Sequence, residues 1–109
     1  MVARSWVPES GDIIWIDFNP QTGHEQAGHR PALVLSPAAY NGATSLLLCV
    51  PMTTKAKGYR FEVRLGDSGV ALADQVKSFD WRMRGARRKG RATKAELEAV
   101  RARVRALVG

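Results

Sequence analysis

Short apolar blocks set off by proline and glycine dominate this chain, and only its last stretch has helical spacing. From Ile13 to Phe18 the residues are β-branched and aromatic. Ile14, Ile16 and Phe18 fall on one face and Ile13, Trp15 and Asp17 on the other, the period-two pattern of a strand that Asn19-Pro20 ends. Ala32 to Ser36, flanked by Pro31 and Pro37, is too short for a helix and predicts a buried strand. Asn41-Gly42 has the composition of a turn, and Leu46 to Val50 predicts a third strand closed by Pro51. Tyr59, Phe61, Val63 and Leu65 then alternate with Arg60, Glu62 and Arg64, predicting a half-buried strand with one wet face. Gly66 to Gly69 forms a hairpin turn into Val70 to Ala73, and Asp74 to Phe79 is expected to continue that pairing. The arginine-rich stretch that follows has no clean period and predicts a loop with one short strand. Thr93 opens a helix through the capping box Thr-Lys-Ala-Glu. Leu97, Val100, Val104 and Leu107 form its apolar stripe, and Arg101, Arg103 and Arg105 are expected in solvent. The expected fold is mainly β, a small, strongly bent antiparallel sheet or barrel with a C-terminal helix.

Composition narrows the class. With 109 residues, 45% hydrophobic and 25% charged, the chain suits one ordered domain, residues 1–109, with a modest core. No apolar run approaches the roughly 18 residues of a membrane span, and the N-terminus lacks the apolar region of a secretory leader, so a cytoplasmic protein is expected. Cys49, the single cysteine, sits in an apolar run and is expected to be a buried thiol. Charge is unevenly placed: Lys77 to the end holds 11 basic and 3 acidic residues, a balance of +8, against −1 for residues 1–76. Its densest part, Arg82 to Arg91, suits a polyanion such as nucleic acid or an acidic protein tail.

The stretch Gln21 to Pro31 concentrates the chemistry, with His24, Glu25, His29 and Arg30 in a glycine-punctuated loop between apolar runs. The two histidines lack partners at metal-ligand spacing, so no metal site is expected. The glycines match neither a nucleophile elbow nor a phosphate-binding loop. What remains is an acid/base set, Glu25, His29 and Arg30, with the hydroxyls of Thr53 and Thr54 at the end of another strand. Such a set can hold a phosphodiester: arginine neutralises the non-bridging oxygens, a hydroxyl donates to them, and a carboxylate or imidazole moves the proton. RNA brings its own nucleophile, the 2′-hydroxyl. A catalytically silent RNA-binding module and an inhibitor that binds a protein target are the competing classes. Gln75, Lys77 and Ser78 are candidates to read bases or phosphates, whereas Trp15 and Trp81 fit either base stacking or a core or dimer interface.

Two long segments carry a family resemblance. Gly11-Asp12-Ile13-Ile14-Trp15-Ile16-Asp17-Phe18-Asn19-Pro20 and Gly23-His24-Glu25-Gln26-Ala27-Gly28-His29-Arg30-Pro31, followed by Ala32 to Ser36, resemble the MazF-type (PemK-like) toxins of bacterial toxin–antitoxin systems. The resemblance continues through Cys49-Val50-Pro51-Met52-Thr53-Thr54, Lys57-Gly58-Tyr59 and Val70 to Ser78. It implies a small SH3-like barrel, a homodimer, and a cofactor-free, metal-independent endoribonuclease. Such an enzyme cuts single-stranded RNA to a 2′,3′-cyclic phosphate and a 5′-hydroxyl, and a MazE-like antitoxin inhibits it. By position, the resemblance makes Arg30 and Thr53 catalytic and matches Glu25 to a loop glutamate implicated in some members. His29, Thr54, Lys57, Gln75, Lys77, Ser78, Arg87 and Arg88 are the expected RNA contacts. An acidic antitoxin tail and RNA would then compete for the same basic surface.

Overall fold

The apolar residues of the first strand serve two cores, one on each face of the sheet. In the computed structural model, which describes residues 6–19 and 28–109, the strands are β1 (Asp12–Asp17), β2 (His29–Val34), β3 (Leu46–Thr53), β4 (Glu62–Arg64), β5 (Val70–Leu72), β6 (Lys77–Asp80) and β7 (Arg87–Arg91). Helix α1 (Ala38–Thr44) precedes β3, and α2 (Lys94–Val108) follows β7. Every pairing is antiparallel, in the order β4-β5-β3-β2-β1-β7, with β6 also on β3. Ile13, Leu33, Val50, Met52, Val63, Leu65 and Ala71 form the core beneath α2, which contributes Val100. Ile14, Ile16, Phe18, Val34, Leu47 and Cys49 form the other, closed by Trp81 and by Trp6 and Val7. The mainly antiparallel architecture with a C-terminal helix is the one expected, although the sheet stays open, since β4 and β7 end its path without pairing each other.

β3 departs from expectation by running through Pro51. Leu35 donates its N–H to the Leu48 carbonyl at 2.8 Å, and the β2–β3 register pairs Ala32 with Pro51. Hydrogen-bonded and non-bonded pairs alternate along an antiparallel ladder, so Pro51 falls at a non-bonded position toward β2 and its missing N–H is not needed there. On its other flank the β6 ladder ends at Cys49 and the β5 ladder begins at Met52. A proline is tolerated where one neighbour gives way to the next. Asp74 to Phe79 accordingly does not prolong the β4–β5 hairpin: the chain turns at Ala73-Asp74 and β6 joins β3 instead. β4 is also shorter than predicted, leaving Tyr59 64% exposed on the preceding loop.

Asn41-Gly42 is helix, not turn. Asn41 is fully buried in α1, where its side-chain amide donates to the carbonyls of Pro8 and Ser36 and its oxygen accepts from the Ser36 hydroxyl. The Trp81 indole N–H donates to the Asn41 carbonyl at 2.8 Å, so Trp81 is a core residue. Pro37 at the start of α1 offers no side-chain cap. Glu9 supplies one from 29 positions away, accepting the Ala38 N–H at 3.0 Å. That bond, with the Ser10 N–H, holds the Glu9 carboxyl below its ordinary pKa. Burial pushes the Cys49 thiol up to about 12, as suits a structural thiol.

The capping box of α2 forms as predicted: the Thr93 hydroxyl accepts from the Glu96 N–H, and Glu96 accepts from the Thr93 N–H. Arg105 is exposed as expected, whereas Arg101 and Arg103 are half-buried, because Arg101 donates to the Leu35 carbonyl and Arg103 to that of Arg60, tying the helix to two loops. Leu107, at the end of the stripe, is half exposed. Thr93→Ala is expected to lower stability by about 1 kcal/mol, read as a lower urea midpoint with unchanged slope. An unmoved midpoint would mean that docking alone holds the helix.

Candidate active site

The ends of β2 and β3 open into a groove of about 870 Å³ that contains Arg30, Thr53, Lys57, Gln75 and Lys77. A smaller recess beside it contains His29 and Thr54 and shares Arg30 and Thr53. The β2–β3 ladder ends at Ala32 opposite Pro51, and Arg30 and Thr53, each two residues beyond that pair, border both the groove and the recess. Thr53 is the last residue of β3 and pairs with Val70 of β5 on its other side. Its hydroxyl oxygen accepts the Lys55 N–H at 3.1 Å. A hydroxyl has one hydrogen to give, and accepting the Lys55 N–H does not use it. Both Arg30 and Thr53 are half-buried, on strand ends rather than on free loops.

Five cations, Arg30, Lys55, Lys57, Lys77 and Arg84, line this groove together with two carboxylates, Glu62 and Asp74. Glu62 is already committed: its carboxylate accepts the backbone N–H groups of Lys57 and Gly58 at 3.0 to 3.1 Å. The groove is therefore a cationic, polyanion-seeking surface.

Arg84 was not among the expected contacts. Its guanidinium donates to the carbonyls of Asp17 and Asn19 at 2.9 and 3.0 Å and lies 4.5 Å from the Phe79 ring centroid. It fixes the end of β1 to the groove wall, while Asn19 accepts the Gly28 N–H on the far side of residues 20–27. His24 and Glu25 lie outside the described residues. Ser78 does not border the groove, because it alternates with Lys77 and Phe79 along β6 and pairs with the exposed Leu48. Arg87 and Arg88 lie on β7 beside β1, away from the groove lining, with Arg88 3.7 Å from the buried Asp12 carboxylate. Arg91 holds Asp12 more closely, at 2.6 Å. Among the described residues no group of three or more His, Cys, Asp or Glu side chains is arranged to hold a metal ion. No helix among them is long and apolar enough to cross a membrane.

A family profile described as "PemK-like, MazF-like toxin of type II toxin-antitoxin system" matches residues 9–108. The chain belongs to this family. Among MazF-like relatives, "Endoribonuclease toxin MazF" of Escherichia coli (strain K12) is 56% identical, with all of both chains covered. The crystal structure of MazF from Deinococcus radiodurans superposes with a TM-score of 0.87 at 51% identity, covering 96% of this chain and 99% of that one. A MazE–MazF crystal structure from the same organism gives 0.86 at 51% identity, covering 96% and 98%. The open antiparallel sheet and terminal helix described above are thus the MazF-like fold.

Proposed function

We propose that this chain, as one toxin domain over residues 1–109, is a metal-independent endoribonuclease that cuts single-stranded RNA in the cytoplasm. The observation that carries the reading is that Arg30 and Thr53, at the ends of adjacent strands, line the same cationic groove. The Arg30 guanidinium would pair with the non-bridging oxygens of the scissile phosphate, and the Thr53 hydroxyl would donate to the same oxygens as negative charge builds on them. The RNA 2′-oxygen attacks phosphorus and the bond to the 5′-oxygen breaks. A 2′,3′-cyclic phosphate and a 5′-hydroxyl result. The 2′-hydroxyl proton passes to a base, for which Glu25 is the candidate, and the departing 5′-oxygen takes up a proton.

His29, Thr54, Lys57, Gln75 and Lys77 would hold flanking nucleotides, supported by their positions around the groove and its side recess. Arg87 and Arg88 would extend the phosphate path along β7, where both are exposed. Ser78, on the face it shares with the exposed Leu46 and Leu48, fits a surface that a second copy would cover better than an RNA contact. A cognate MazE-like antitoxin would bind and inhibit the chain, a reading supported by the MazE–MazF assembly of the Deinococcus relative. Acidic residues of such a partner would seek the same cations as RNA phosphates, making inhibition at least partly competitive.

Purified protein incubated with a defined RNA pool in excess EDTA is expected to cut it, leaving termini that map as cyclic phosphate and 5′-hydroxyl. A 2′-O-methyl group at the scissile nucleotide should abolish cutting there, and an all-DNA copy should stay intact. Cleavage of the DNA copy would reject 2′-hydroxyl attack.

A further inference from the structure

Of the aromatic rings that border the groove, Tyr59 is used differently from the others. Phe18 and Phe79 meet edge to face with centroids 4.9 Å apart, and Arg84 covers Phe79. Phe61 is half-buried and packs against the core beneath α2. Tyr59 is 64% exposed, and among the described residues no ring or cation stacks on it. Its backbone is nonetheless held on both sides. The Glu62 carboxylate accepts the N–H groups of Lys57 and Gly58 just ahead of it, and the Glu62 N–H donates to the Tyr59 carbonyl at 3.1 Å. Gly58 makes this turn at φ 79°, in the left-handed region. A large ring left uncovered on a pinned backbone, in a groove rich in cations, has the properties of a stacking platform for a nucleic-acid base.

We propose that Tyr59 is such a platform, stacking one base of the single-stranded RNA beside the linkage held by Arg30 and Thr53, with Lys57 on an adjoining phosphate. The proposal rests on the endoribonuclease reading above and adds a subsite to it. Every base has a π-face, so this contact strengthens binding across sequences rather than choosing among them. Tyr59 touches no reacting atom, and its loss should weaken substrate binding while sparing the chemical step.

Steady-state cleavage of one defined RNA by the full-length Tyr59→Ala protein should show a KM raised about 5- to 100-fold with kcat within about twofold of the parent. Tyr59→Phe, which keeps the ring, should restore the parental KM. In Tyr59→Trp, tryptophan emission should be quenched when an uncleavable 2′-O-methyl RNA oligonucleotide binds, beyond any change in the parent protein. A parental KM in Tyr59→Ala, or binding of the oligonucleotide to Tyr59→Trp without extra quenching, overturns the stacking proposal while leaving the activity intact. A parental KM together with weakened binding of a MazE-like antitoxin would reassign the ring to a protein interface. If the parent protein neither cuts nor binds RNA, the activity reading fails first and the platform falls with it.

Discussion

Replacing Arg30 or Thr53 by alanine is expected to slow RNA cleavage by about 30-fold to nearly 1,000-fold, equivalent to roughly 2 to 4 kcal/mol of barrier. Under the proposed mechanism the loss should appear chiefly in kcat, because both groups would meet the additional negative charge that the already anionic phosphate gains as the 2′-oxygen attacks. Two further variants separate chemistry from shape. Thr53→Ser keeps a hydroxyl that can still accept the Lys55 N–H and should retain most of the rate. Thr53→Val keeps the branched shape without the hydroxyl and should fall with alanine. Arg30→Lys keeps the charge but not the two parallel N–H donors, and should recover only part of the loss. Since both residues are half-buried at strand ends, thermal unfolding should move little. Near-parental turnover in Thr53→Val would place the phosphate elsewhere in the groove.

Gly69→Ala is expected to damage stability and activity together. Gly69 has φ 114°, where an L side chain is strained, and a Cβ built there would lie 2.6 Å from the Thr53 carbonyl oxygen and 3.3 Å from its carbon. Both obstructing atoms are backbone, so no rotamer change can relieve the overlap. The β4–β5 hairpin or the end of β3 must move, and the end of β3 is what carries Thr53. Strain and displaced pairing together should remove about 2 to 4 kcal/mol of stability, with turnover falling as Thr53 shifts against Arg30. Urea denaturation and cleavage assays on the same preparation would test this. A variant with the parental midpoint and rate would show that this contact is softer than its geometry implies.

The elements that could be read from sequence are those whose causes are local. Period-two alternation marks β1 because its neighbours lie a few residues away, and the Thr93–Glu96 capping box satisfies its own backbone groups. Helix α1 was hidden because its cap is tertiary: Glu9 reaches it through the fold, and the asparagine that looked like a turn residue is satisfied by Pro8 and Ser36. Pro51 looked like a terminator because nothing local says that a strand changes partners there. In the site, residue types alone bring Arg30 and Thr53 into a wider set with Glu25, His29 and Thr54, the family resemblance singles the two out, and both line the same groove. A run of charges gives a count without directions. Within Arg82 to Arg91, Arg84 braces the groove, Arg91 is tied to Asp12, and Arg82 lies 4.3 Å from the Trp81 ring centroid. The spacing of Tyr59 matches that of Phe61 and so predicts a buried strand face, and only the short β4 reveals the ring as exposed.

The β1–β7 pairing has a consequence for how the protein comes into being. The Arg91–Asp12 contact joins residues 79 apart, so a chain emerging from the ribosome N-terminus first keeps one edge of β1 bare until β7 has been made. Long-range pairings of this kind form late, since a large loop must close before the contact is gained. Arg84, which braces the groove wall, lies just ahead of β7 and arrives with it. Arg30 and Thr53 therefore exist in the nascent chain well before the frame that aims them. A chain cut short before β7 thus carries both groups without Arg84, which holds the end of β1 against the groove wall, or the strand that covers the edge of β1.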